Sequence, residues 1–381
     1  MTWAHIHGVL SPQIGRISHH RLSFSDAAYG FVAISGIVLG MILTHKMLEC
    51  GPRAAFLFTE KRLRIIYAYI VALSVIGWIL WSTYPVETAE WSSETVSGLS
   101  GLISLLFLTN DRVPFWDILP MYLALVAISP VAILLFQKGH ASLVIAISAI
   151  AWLLAQNGLA QHLAYRAHDL FGFPYHEFAN PFVVWAWQFP FVVSLYLGFR
   201  VKTDETFIPR MQSWAGKNAL ALVVLFLVLA ILNFYSDLIG HLPRAETSEA
   251  ARFFAYESKW LATPIYMLSL VVNGGLLLYL CSVAPRADHP ALRRIGSGVR
   301  DTINAGPFVA LGRRSIQIFT AHLLILLFLL VFVPAEGLTE WLSSILIVGL
   351  TLTLLLVPRA LDEWSKLIGR LGRGRKTERH T

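Results

Sequence analysis

Of 381 residues, 56% are hydrophobic and only 14% charged, with a mean hydropathy of +0.62. Soluble domains carry roughly 25% charged residues, so these values exclude one and imply a polytopic membrane protein. The net charge of +7 arises from Lys and Arg set between apolar runs, a topology signal that implies no nucleic-acid partner.

The chain opens with "MTWAHIHGVL", an apolar stretch carrying His5 and His7. As a helix it would extend about 15 Å, half of a hydrocarbon core. It reads as the stub of a first helix, most of which is expected to lie upstream of Met1. It has neither the basic start nor the small-residue cleavage site of a signal peptide. "FSDAAYGFVAISGIVLG" follows at 24–40, the head of a span expected over 26–48. Ser25 and Asp26 suit the N-terminus of that helix, where an acceptor oxygen and a negative charge meet free amides. Ser35 and Gly36 suit close helix packing.

Further apolar runs predict spans over 62–83, 116–136, 141–158, 180–199, 216–235, 261–283, 314–333 and 341–358, about nine crossings in all. The shorter "LSGLISLLFL" at 99–108 reads as an interfacial or re-entrant piece. Fold class is therefore all-α: a transmembrane helix bundle of nine full spans plus the truncated first helix. One integral domain is expected over 1–369, with a basic tail over 370–381.

Cationic connections alternate with acidic ones. Arg53, Lys61, Arg62 and Arg64 crowd one loop, Arg200, Lys202, Arg210 and Lys217 another, and Arg286, Arg293, Arg294, Arg300, Arg313 and Arg314 a third. Those loops and the C-terminus belong in the cytoplasm. Cys50 and Cys281 lie beside basic loops and suggest neither a disulfide framework nor a metal site.

Polar groups inside spans need a reason, because each costs several kcal/mol there unless paired or hydrated. His322 lies about 12 Å along its helix from Arg314, deep in "RRSIQIFTAHLLILLFLL"; it reads as a hydrogen-bonded core histidine or as a functional one. "VPFWDILPMYLAL" sets Asp117 at a helix start. "ANPFVVWAWQFPF" carries Asn180, Trp187 and Gln188; an interfacial aromatic belt accounts for the tryptophan, whereas the Gln188 amide requires a partner. In "EKRLRIIYAY" the arginines serve the positive-inside signal or grip an anion at the cytosolic face. No phosphate-binding glycine loop, HExxH helix or GxSxG elbow is present.

Taken together, "FSDAAYGFVAISGIVLG", "KRLRIIYAY", "PFWDILPMYLAL", "NPFVVWAWQ" and "LGRRSIQIFTAH" resemble, in order and relative distance, the OpgC family of membrane proteins, related to the acyltransferase-3 group. The resemblance implies a ten-helix protein of the bacterial inner membrane that succinylates osmoregulated periplasmic glucans. Its co-substrate would be a cytosolic acyl-coenzyme A, with no tightly bound cofactor and no metal. Partners would be the bilayer, a glycan acceptor and other glucan-synthesis proteins. It implies His5 as general base or acyl relay, Asp26 beside it and His322 as a further catalytic candidate. Arg62, Arg64, Arg313 and Arg314 would hold the donor, and Ser25, Asp117, Asn180, Trp187 and Gln188 would face substrate. The related group carries an arginine eleven residues before the histidine, which here would precede Met1. Read from the residues alone, a transporter or flippase of a small anionic or lipid-linked substrate, or an inactive remnant, stays open beside the transferase.

Overall fold

In a computed structural model the described residues are 2–10, 23–25, 27–84, 99, 102–103, 106, 118–157, 184–240, 261–333 and 338–363. Among them every regular element is helical. The chain forms two compact units, one of Ser18–Ser297 and one of Met1–Ile17 with Gly298–Thr381.

The larger unit begins with α2 (Ala27–Cys50) and α3 (Pro52–Thr83), α1 (Thr2–Leu10) belonging to the other unit. Gly51 joins them at φ 79°, a left-handed conformation that glycine adopts without strain, and Pro52 opens α3 with φ already set for a helix. Next come α4 (Ile118–Gln137), α5 (Ala141–Gln156) and α6 (Val184–Thr203), followed by the short α7 (Phe207–Lys217), α8 (Ala219–Gly240) and α9 (Pro264–Leu278). Pro264 stands at the start of α9, whereas Pro190 lies inside α6. α9 runs on through a π-helical turn, Tyr279–Val283, and a 3₁₀ turn, Ala284–Arg286, and after three residues α10 (Pro290–Ile303) follows. The boundary between the two units falls within α10.

The centre of this unit is the crossing of α2 and α6. Gly36 and Gly40 of α2 face Ser194 and Gly198 of α6, two small residues four apart on each helix. A methyl built on Gly40 would lie 2.3 Å from the Leu195 carbonyl oxygen, and one on Gly198 would lie 2.1 Å from that of Ile37. Only hydrogen at these positions lets the backbones approach so closely. Lipid tails give apolar helices no hydrophobic reason to associate, so this contact is a main source of cohesion. Leu39, Leu43, Phe191 and Leu195 are buried on the same two helices.

The smaller unit comprises α1 (Thr2–Leu10), α11 (Gly306–Arg313), α12 (Ser315–Phe332), α13 (Glu340–Thr353) and α14 (Val357–Glu363). α1 packs on α12 and α13. The Thr339 hydroxyl accepts the Leu342 amide at 3.3 Å and caps α13.

The described part of each of the nine expected spans is largely helical, with 341–358 divided between α13 and α14. Among the described residues, however, five helices are long and apolar enough to cross a bilayer: α2, α3, α4, α9 with its extension, and α12. The number rises to seven if the bent pairs α7 with α8 (68°) and α13 with α14 (41°) each count as one span. α5 has 16 residues, about 24 Å, and α6 ends in Arg200 and Lys202. Nine full spans is thus a finer count than these helices establish. Most of the run at 99–108, and the tail from 364 onward, lie outside the described residues.

Candidate functional site

In the smaller unit α1 and α12 bring together two histidines 317 positions apart: His5 Nδ1 lies 3.0 Å from His322 Nε2, with ring centroids 5.1 Å apart. His322 is 2% exposed, its Nδ1 lies 2.9 Å from the Phe319 carbonyl oxygen, and the Phe319 ring meets it edge-on. A carbonyl only accepts, so Nδ1 of His322 carries the proton. A neutral His322 then has its lone pair on Nε2. His5 must donate its own Nδ1–H to that lone pair, which puts the basic lone pair of His5 on Nε2. The chain carbonyl, His322, His5 therefore fixes one tautomer of His5 and orients its ring. A base held this way accepts a proton at Nε2 and shares the resulting charge with His322. The side chain of His7 lies outside the described residues.

At the foot of α12 a cavity of about 640 Å³ opens between α11, α12 and α14, lined among others by Asn304, Arg313, Arg314, Gln317 and Asp362. Arg314 pairs with Asp362, and Arg313 is exposed. His322 stands two turns further along the same helix, about 12 Å from Arg314. Two of the expected donor-holding arginines thus share one cavity in the unit that holds the histidine pair.

The other two belong to the larger unit. Arg62 donates to the Tyr122 hydroxyl at 2.8 Å, while its buried Nε has no hydrogen-bond partner among the described residues. Arg64 points outward and pairs with Glu60 one turn back, an exposed pair of little energetic weight.

Ser25 is buried in a polar cluster with α9. Ser23 and Ser269 hydroxyl oxygens lie 2.8 Å apart, the Asn273 amide donates to Ser23 at 2.7 Å and to Ser25 at 2.6 Å, and the Ser25 amide donates to the Ser269 hydroxyl at 3.2 Å. Beside it Tyr29 packs on Trp187 at 4.4 Å and stacks on Tyr266 at 5.5 Å, all three deeply buried. Gln188 finds the partner its position demands: its carbonyl accepts from the Ser148 hydroxyl at 2.5 Å and its amide donates to the Ser148 carbonyl at 2.7 Å, tying α6 to α5. Asp26, Asp117 and Asn180 lie outside the described residues. Among the described residues no three His, Cys, Asp or Glu side chains converge as a metal site.

Residues 1–367 match the family described as OpgC protein. The chain belongs to the OpgC family. No curated protein and no solved structure matches it.

In this OpgC-family chain, sequence reading passed over Asn273, Ser269 and Ser23. The signal for Asn273 was present: an amide within "MLSLVVNGGLLL" obeys the same rule that singled out Gln188. Tyr122 carried no such signal, since a tyrosine within an apolar helix is ordinary and only its contact with Arg62 distinguishes it. The membership and the apolar helices together make this a membrane protein of a family linked to glucan succinylation.

Proposed function

We propose that this protein is an acyltransferase of the bacterial inner membrane that moves a succinyl group from cytosolic acyl-coenzyme A to a hydroxyl of an extracytoplasmic glucan. Its cationic connections and C-terminus would lie in the cytosol, and other glucan-synthesis proteins would supply the acceptor. The observation that carries the reading is the His5–His322 pair, a base whose lone pair is held on one nitrogen by a buried partner.

In the proposed reaction the acceptor hydroxyl gives its proton to His5 Nε2 as its oxygen bonds to the acyl carbonyl carbon. The carbon–sulfur bond of the thioester breaks, and the proton passes from His5 to the departing sulfur, leaving an ester and free coenzyme A thiol. His322 accepts the Nδ1–H of His5 throughout and stabilises the imidazolium that forms. Arg313 and Arg314 would hold anionic groups of the donor in their cavity. From there an extended acyl-pantetheine arm can reach the histidines along α12. For Asp26, Arg62, Arg64, Ser25, Asp117, Asn180, Trp187 and Gln188, all of the larger unit, the family resemblance alone supports a further part in donor or acceptor binding.

The test is ester formation by protein reconstituted in vesicles, with radiolabelled succinyl-coenzyme A outside the cytosolic face and glucan on the other. His5→Ala should abolish labelled glucan while leaving the protein folded. Undiminished ester formation by that variant would remove His5 from the chemistry. Passage of the glucan or donor with no new ester in the parent protein would make it a transporter.

A further inference from the structure

α10 is unlike the spans on either side of it. Its sequence, PALRRIGSGVRDTI, is polar on average and strongly two-sided. At about 100° per residue, Leu292, Ile295, Val299 and Ile303 fall within an arc of about 80°, while Arg293, Ser297, Asp301 and Arg294 occupy the opposite half and Arg300 its edge. Ile295 is 55% exposed, and Leu292 and Ile303 are exposed as well, while Val299 is partly covered, so most of the apolar stripe lies open among the described residues. Arg293 and Arg294 have no carboxylate partner among them either; Arg300 contacts Asp301 at 3.1 Å. An amphipathic helix of this kind, too polar as a whole to cross a bilayer and with cations on its polar face, belongs in the plane of a membrane interface.

Two observations place it there. The span formed by α9 and its extension ends at Arg286, and only Ala287, Asp288 and His289 separate that point from Pro290, a reach of about 10 Å at full extension. The helix is also seated directly on the end of that span. A methyl built on Gly296 would lie 2.7 Å from the Ala284 side chain and from the Pro285 nitrogen, so the α10 backbone rests on the 3₁₀ turn that closes it. Gly296 lies beside the apolar stripe, so this contact fixes how the helix is rolled.

We infer that α10 is an interfacial anchor that binds anionic phospholipid, with Leu292, Ile295 and Ile303 among the acyl chains and Arg293, Arg294 and Arg300 on the headgroup phosphates. Three cations within two turns, against Asp301 alone on the helix, give the face a net positive charge that a zwitterionic surface does not complement and an anionic leaflet does. Arginine stems also lie along apolar surface while their heads stay at phosphate level. The inference does not depend on acyl transfer.

The experiment uses the full chain with Cys50 and Cys281 replaced by serine and one fluorophore at Ile295→Cys, Asp301→Cys or Leu277→Cys. The protein is reconstituted in phosphatidylcholine, or in vesicles where about a third of it is phosphatidylglycerol, with bromine on the acyl chains as quencher. The expected result is at least threefold stronger quenching at position 295 than at 301, a further rise at 295 with phosphatidylglycerol, and loss of that rise in R293Q/R294Q/R300Q. Equal quenching at 295 and 301, or quenching at 295 that ignores phosphatidylglycerol, overturns the inference. Leu277, exposed on α9, reports insertion. If the triple variant loses quenching there, it has misfolded, and the comparison of the two vesicle compositions with the arginines intact decides the matter.

Discussion

Replacing Gly198 by alanine tests the packing on which the larger unit depends. The added methyl carbon would stand 2.1 Å from the Ile37 carbonyl oxygen and 2.9 Å from the Met41 nitrogen, where ordinary contact begins at 3.4 Å. Both neighbours are backbone atoms of α2, so no rotamer change relieves the clash, and the helices must part by about 1 Å. A gap of that size forfeits a quarter to a half of the attraction of each atom pair along the crossing. With the strain of overpacking the cost is about 3 kcal/mol, the upper part of the range for inserted core methyls. Gly30→Ala is the matched control. Among the described residues nothing lies within 4 Å of a methyl there, and alanine is the better helix former by about 1 kcal/mol. Thermal unfolding of detergent-solubilised protein, followed by loss of the monodisperse species, should show Gly198→Ala melting several degrees below the parent and Gly30→Ala at or above it. Equal melting of Gly198→Ala and the parent would refute the claim that hydrogen is required at position 198.

Other perturbations give distinct signatures. His322→Phe keeps a buried ring but removes the acceptor of the His5 Nδ1–H, so ester formation should fall by about 10²–10⁴. His322→Gln, whose carbonyl can accept the same proton, should recover part of it, and an unchanged rate in His322→Phe would remove the relay. Gln188→Leu strands the Ser148 groups and should cost about 1–3 kcal/mol. A double cycle with Ser148→Ala would return no coupling if the two do not interact in the membrane. The Thr206 hydroxyl donates to the Asp204 carboxylate and Arg200 and Arg210 pair with it, which lowers its pKa from 3.8 to about 2. A depressed folded-state pKa stabilises above the unfolded value and is lost as pH falls. The stability gap between parent and Asp204→Asn should therefore narrow steadily as pH falls from about 4 toward 2, and a gap that does not narrow over that range would contradict the ion pairing. Arg314→Gln should raise the KM for the acyl donor more than it lowers kcat, measured by initial rates; a pure loss of kcat would take Arg314 out of donor binding.

Legibility from sequence followed the physics of each feature. Apolar runs reveal helices because a bilayer requires every backbone group to be satisfied within the segment, and the described part of each predicted span is largely helical. The number of crossings is less legible, since α5 and α6 lie near the limits of length and polarity, and bent pairs blur what one span is. Ser35-Gly36 pointed to packing against the helix that bears His5, whereas Gly36 packs closely on α6. The facing motif of Ser194 and Gly198 becomes meaningful only when α6 is known to cross α2. Gln188 announced a partner through the cost of a bare amide in lipid; that the partner was Ser148 required the fold.

The candidate site repeats this lesson with more at stake. His322 read first as a hydrogen-bonded core histidine and next as a functional one; the structure shows the hydrogen bonds of the first reading, and the proposed function builds on them. The bond to the Phe319 carbonyl that satisfies the buried ring also determines which nitrogen faces His5 as acceptor. No spacing rule could reveal that, because the two residues lie on helices at opposite ends of the chain. A similar convergence governs the head of α2. Ser25 was read as a helix-start residue that also faces substrate, and its hydroxyl is bound to Asn273 near the middle of α9. An amide at that depth needs acceptors, and two serine hydroxyls ahead of α2 supply them, so the polar character of this entrance answers a requirement set some 250 residues away. Polar residues in this protein are therefore best interpreted in pairs: one member visible as an anomaly in an apolar run, the other hidden in ordinary sequence until the helices bring it within 3 Å.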